Sequence, residues 1–189
     1  IRNWTINAAV VVTGDLRVDG TVRFNSPLAV SAGKTLRVAG SGQTGQSLLT
    51  VSNGVVNQGI IELSSEGGGF EARLTVSNGT LTNAAGGVIR AVEGNSGPRN
   101  LNANLDNRGT LEVARDLTLD GNVANSGTVD LAAGKTLTIS PATTWTHRAS
   151  AITGTGTLSL ANASTFVLEE DFTPGGFILH APNLTVNGP

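Results

Sequence analysis

One phrase recurs along this chain and governs what it can fold into: a glycine, then apolar residues at the second and fourth positions after it. It occurs as Gly20-Thr21-Val22-Arg23-Phe24, Gly59-Ile60-Ile61-Glu62-Leu63, Gly87-Val88-Ile89-Arg90-Ala91, Gly109-Thr110-Leu111-Glu112-Val113, Gly127-Thr128-Val129-Asp130-Leu131 and Gly156-Thr157-Leu158-Ser159-Leu160. A second phrase lies between these copies, Leu-Thr-apolar running into Asn-Gly or Asp-Gly. It appears at Leu49–Gly54, Leu74–Gly79, Leu117–Gly121 and Leu184–Gly188. Two near-copies of a third, Ala32-Gly33-Lys34-Thr35-Leu36-Arg37-Val38 and Ala133-Gly134-Lys135-Thr136-Leu137-Thr138-Ile139, complete the pattern.

Each phrase alternates apolar with polar, the period of a strand with one buried face, and no window keeps helical spacing. Asn-Gly and Asp-Gly take up positive φ at little cost, so the chain can turn a corner directly after such a strand. Strands this short cannot form a core singly, but stacked copies bury a continuous apolar column. The pattern therefore predicts an all-β chain, a right-handed parallel β-helix (β-solenoid) of about eight irregular rungs, roughly 40 Å tall at ~4.8 Å per rung. A β-sandwich gives no reason for one phrase to recur in order. A left-handed β-helix wants a strict hexapeptide period, and leucine-rich repeats want asparagine and helix positions that are missing.

Composition agrees with this reading. Only 14% of residues are charged and 4% aromatic while 25 are glycine, so the core is expected to be Leu, Val, Ile and Ala between tight turns. The net charge is −2 with no run of either sign, which gives no expectation of nucleic acid as a partner. No apolar stretch approaches the ~18 residues of a membrane span, so no direct membrane insertion is expected of this segment. With no cysteine there is neither a disulfide framework nor a thiolate metal site. The chain opens on Ile1 without a leader and closes on an interrupted strand phrase, and so reads as a fragment of a longer protein. A single β-helix segment is expected over 1–189, with the repeat clearest in 10–160. The stretch 141–182 holds Trp145, Phe166, Phe172 and Phe177, the acidic Glu169-Glu170-Asp171 and the turn Thr173-Pro174-Gly175-Gly176. It reads as a local elaboration packed on the helix.

Phrases such as Asn107-Arg108-Gly109-Thr110-Leu111-Glu112-Val113 and Asn125-Ser126-Gly127-Thr128-Val129-Asp130-Leu131 resemble the passenger β-helices of autotransporter and filamentous-haemagglutinin-type bacterial adhesins. The resemblance covers most of 10–160 and concerns architecture rather than ligand. It implies a secreted or cell-surface stalk or adhesive rod. Neither the secretion motifs that begin such exoproteins nor a membrane barrel occurs within the chain.

Parallel β-helices also carry polysaccharide lyases and glycosidases, and the outward residues are where such chemistry would lie. Stacking is expected to align Glu62, Arg90, Glu112, Asp130 and Ser159 on one exposed ladder, with Glu112 beside Asp130. Two neighbouring carboxylates could serve a glycosidic bond or a calcium ion, but a solvated, mixed-charge face is the simpler reading. His147 and His180 belong to no metal-spaced or triad arrangement. Gly67-Gly68-Gly69 reads as a flexible loop, because no helix follows to make a phosphate cradle. Thr80-Leu81-Thr82 and Thr136-Leu137-Thr138 have the local pattern of an ice-binding array, which charged residues on equivalent rungs would break. No catalytic residue, metal site or cofactor is expected.

The rungs bulge in three consecutive places. After Val38, Leu63 and Val92 come long polar, glycine-rich loops at 39–47, 64–72 and 93–100, whereas after Val113 only Ala114-Arg115-Asp116 intervenes. Loops inserted at one corner should stack on one edge, and in repeat proteins that edge is often the binding face. Gln43, Glu66, Phe70, Glu71 and Arg99 are the candidate ligand contacts, the alternative being tolerated surface insertions. The expected function is a structural and adhesive segment attaching non-enzymatically to a host-surface protein or glycan, with self-association a further option. A carbohydrate-active enzyme and the shaft of a phage or toxin fibre are the competing classes.

Overall fold

A computed structural model describes every residue except 93, 149, 171, 173, 174, 188 and 189. Among the described residues there is no helix, and the strands pair in parallel from turn to turn, giving a β-solenoid of about eight turns. Each turn crosses three faces. Face 1 is a seven-stranded sheet running from Leu16–Val18 through Thr35–Ser41, Ile60–Glu66, Val88–Ala91, Thr110–Val113 and Thr128–Leu131 to Ala151–Gly154. Faces 2 and 3 belong to one sixteen-stranded sheet, because Ala72–Asn83 and Arg99–Asn107 run unbroken around the corner between them.

Register explains the core. On face 1, Leu16, Leu36, Ile61, Ile89, Leu111, Val129 and Ile152 lie directly over one another. All but the first are buried, and each fully buried aliphatic side chain contributes about 1.5–3 kcal/mol. The alternation read from the sequence thus becomes three apolar columns meeting on one axis.

The repeated phrases specify a strand and its turn but not a face. Four of the six Gly-x-apolar-x-apolar copies stack on face 1, while those at Gly20 and Gly156 open strands of face 2. The two Ala-Gly-Lys-Thr-Leu copies likewise divide, Thr35–Ser41 on face 1 and Thr136–Ile139 on face 2. Consequently Ser159 is not on the ladder expected for it: it pairs with Thr138 and His180 on face 2, and Thr153 takes its place beside Asp130. Thr80 and Thr82 lie on face 3 and Thr136 and Thr138 on face 2, so they cannot form one flat array.

Part of the segment 141–182 carries on the repeat. Thr144–His147, Ala151–Gly154, Thr157–Leu160 and Thr165–Leu168 continue the three faces in register. Its aromatics replace aliphatics inside the column: Trp145 and Phe166 are fully buried and stack with centroids 6.3 Å apart. Over 144–168 the repeat becomes illegible because the core residues change size, while the rungs continue. Asp171, Thr173 and Pro174 of this stretch lie outside the described residues.

A polar column runs inside face 3. Asn57, Asn83, Asn107 and Asn125 are fully buried and in register, and each Nδ2 donates to the next Oδ1 at 2.7–2.8 Å across separations of 26, 24 and 18 residues. The same Nδ2 groups of Asn57, Asn83 and Asn107 also donate to the carbonyls of Val88, Thr110 and Thr128. His147 occupies the next position, buried, with Asn125 Nδ2 and Ser150 Oγ beside its ring. The signal was an asparagine two residues before the rung glycine, as in Asn57-Gln58-Gly59, Asn107-Arg108-Gly109 and Asn125-Ser126-Gly127. Those glycines are fixed by backbone crowding. A Cβ on Gly59, Gly109 or Gly127 would collide with carbonyl oxygens of the preceding turn.

Candidate functional site: a ridge of stacked loops

The three long insertions lie together at the corner between faces 1 and 2. Strand pairing extends outward from the core into the first two, with Ala39, Gly40 and Ser41 in register with Ser64, Ser65 and Glu66. Beyond the strands the backbone continues to pair from turn to turn, through Gly42 N–H to the Glu66 carbonyl, Asn95 N–H to Ser65, and Ala72 N–H to Pro98. Serines fill the interior of this ridge because they are small and can satisfy the exposed carbonyls. Ser47 Oγ donates to Val18 O at 2.9 Å and Ser65 Oγ to Gly68 O at 3.2 Å. Gly67-Gly68-Gly69 is a specified turn rather than a loose loop. Gly67 and Gly68 adopt positive φ, and the Phe70 ring lies where a side chain on Gly68 would be.

The five candidate contacts divide between surface and scaffold. Gln43 is exposed and, with Arg17, Ser41, Gly42, Glu66 and Gly67, lines a hollow of about 310 Å³. Phe70 is half-buried against the glycine turn. Glu66 borders the hollow but is held at 2.8 Å by Arg17 and at 2.6 Å by Arg37. Glu71 is mostly buried, accepting from Arg73 Nε at 2.7 Å and from Asn100. Arg99 is 1% exposed, and its guanidinium donates to the carbonyls of Val92, Asn95 and Gly97, which makes it the internal strut of the third loop. Glu93, the first residue of that loop, lies outside the described residues.

Beside the ridge, face 1 carries a charge row whose members alternate by pairing. Asp19, Arg17, Glu66, Arg37, Glu62 and Arg90 form one continuous chain of ion pairs at 2.6–2.9 Å. Glu62 is only 7% exposed because two arginines cover it. Neighbouring carboxylates raise Arg17, although partial burial opposes the shift and is the largest single influence. The row ends in Glu112 beside Asp130, with Thr153 Oγ1 donating to Asp130 at 3.1 Å. Among the described residues no three His, Asp or Glu side chains converge as a metal-binding group.

No family model, curated protein or solved structure matches the chain. What is defined is a class of architecture, a parallel β-solenoid with a one-sided ridge.

Proposed function

We propose that the chain is an extracellular structural and adhesive segment of a bacterial surface protein, in which the column supplies rigid length and the ridge attaches non-enzymatically to a host-surface protein or glycan. The observation that carries this reading is the ridge itself. Three insertions in consecutive turns are ordered by backbone pairing and by Arg99 into one continuous surface, which is more than tolerated insertions require. Glu66 and Glu71 are committed to arginine and amide partners, so they support the surface instead of offering free acid–base groups. Gln43 and the glycine turn beside Phe70 make its contact area, with the Arg17–Glu66 ion pair alongside.

The experiment is attachment of beads coated with the purified chain to host epithelial cells and to matrix proteins. Coated beads should adhere, and shortening the loop at 42–46 should lower adhesion toward that of uncoated beads while thermal unfolding stays unchanged. Equal adhesion by the intact and shortened chains would remove the ridge from the account.

A further inference from the structure

Face 3 carries a second feature, away from the ridge. Its outward positions form two rows: Thr80, Asn104, Asn122 and Thr144 along one, and Thr82, Asp106, Ala124 and Thr146 along the other. Ala124 is the smallest member of its row, and the missing side-chain volume leaves an open groove of about 510 Å³, within the roughly 300–1,000 Å³ usual for ligand sites. The groove spans four rungs, roughly 15 Å at ~4.8 Å per interval.

Its donors and acceptors are preset. Asn104 Oδ1 accepts the Asn122 N–H at 3.0 Å and Asn122 Oδ1 accepts the Thr144 N–H at 2.9 Å. Each amide is thereby fixed with its Nδ2 available for another acceptor. Arg108 fixes the Asp106 carboxylate through Nε at 2.9 Å and Nη2 at 2.6 Å. The threonine hydroxyls can both donate and accept.

We propose that this groove binds a neutral, linear oligosaccharide lying along the solenoid axis. Three features of the lining select that chemistry. Hydroxyl, amide and a single arginine-neutralised carboxylate match sugar hydroxyls, which also donate and accept. No unpaired cation lines the groove, so a polyanion gains nothing there. The strands Arg99–Asn107 and Val123–Asn125 are hydrogen-bonded to parallel neighbours on both sides, so an extended peptide finds no strand edge to join. This site is independent of the ridge, and either can fail without the other.

The test is calorimetric titration of the purified chain with neutral tetrasaccharides (cello-, xylo-, malto- and chito-series), with tetragalacturonate as the acidic comparator. At least one neutral series should bind. Ala124→Phe, which fills the groove from an outward strand position, should weaken that binding by about tenfold or more, and Asp106→Asn by a few-fold, because the amide oxygen still accepts but without the charge. Asp130→Ala, on face 1 and away from both the groove and the ridge, should leave it unchanged. Absence of binding to every neutral tetrasaccharide, tighter binding of tetragalacturonate, or equal affinity in the Ala124→Phe and Asp106→Asn chains with unaltered circular dichroism would overturn the proposal.

Discussion

Asn83 donates its Nδ2 to Asn107 Oδ1 at 2.8 Å inside the column, joining residues 24 apart in the chain. Removing Asn107 strands a donor on Asn83 and an acceptor on Asn125, both fully buried. Asn107→Ala should therefore cost about 2–3 kcal/mol. Asn57 heads the ladder, with Val30 at the equivalent place one turn earlier and no partner for its Oδ1. Asn57→Ala should cost less than Asn107→Ala, and urea midpoints of the two variants measured together would reveal the order.

Two kinds of glycine should respond differently to alanine. Gly127 needs the space, since a Cβ would meet backbone atoms of Arg108 and Gly109 that no rotamer change can move. Gly127→Ala should cost about 3 kcal/mol or more. Gly33 has φ +69° with open space around it, so Gly33→Ala should cost only the left-handed conformation, about 1–2 kcal/mol. Thermal unfolding of both variants would separate crowding from conformation.

The paired Glu62 should matter where the exposed Asp130 does not. Glu62→Ala leaves Arg37 and Arg90 each short of a carboxylate, a loss of about 1–2 kcal/mol once the partial exposure of both arginines is counted. Asp130→Ala should change stability by less than about 0.5 kcal/mol. Denaturant titration at two salt concentrations checks both, with the Glu62 effect the smaller at high salt.

His147 sets a pH dependence. Burial lowers its pKa below the ordinary value of 6.5, with Ser150 opposing the shift. The unfolded chain therefore binds a proton more readily than the folded one. This contribution is fully present above pH 6.5 and is lost as pH falls from there toward the lowered native value. Between pH 7.5 and 5.5 the melting temperature should fall more for the native chain than for His147→Asn, which has no titrating group at that position.

The strands and their inward residues were legible because period-2 alternation reports one-sided burial directly. The face on which each phrase falls was not, since Gly20–Phe24 and Gly59–Leu63 share a pattern while residing on different faces; only the accumulated length of each turn decides that. Glycine-rich insertions after Val38, Leu63 and Val92 revealed the ridge, yet Arg99 and Glu71 read as surface groups. A loop arginine looks solvent-exposed until the stacking that buries it beneath its own carbonyls is known. The asparagine column was missed for the converse reason, because an asparagine before a glycine reads as turn chemistry and its burial depends on the turns above and below.

The side-chain amide spectrum tests the stacked column most directly. Nuclear Overhauser contacts and hydrogen exchange of the Asn57, Asn83, Asn107 and Asn125 Nδ2 groups should show each amide contacting the next and exchanging far more slowly than exposed asparagines such as Asn53. Exchange at the solvent rate, with no contacts among these four residues, would contradict the solenoid described.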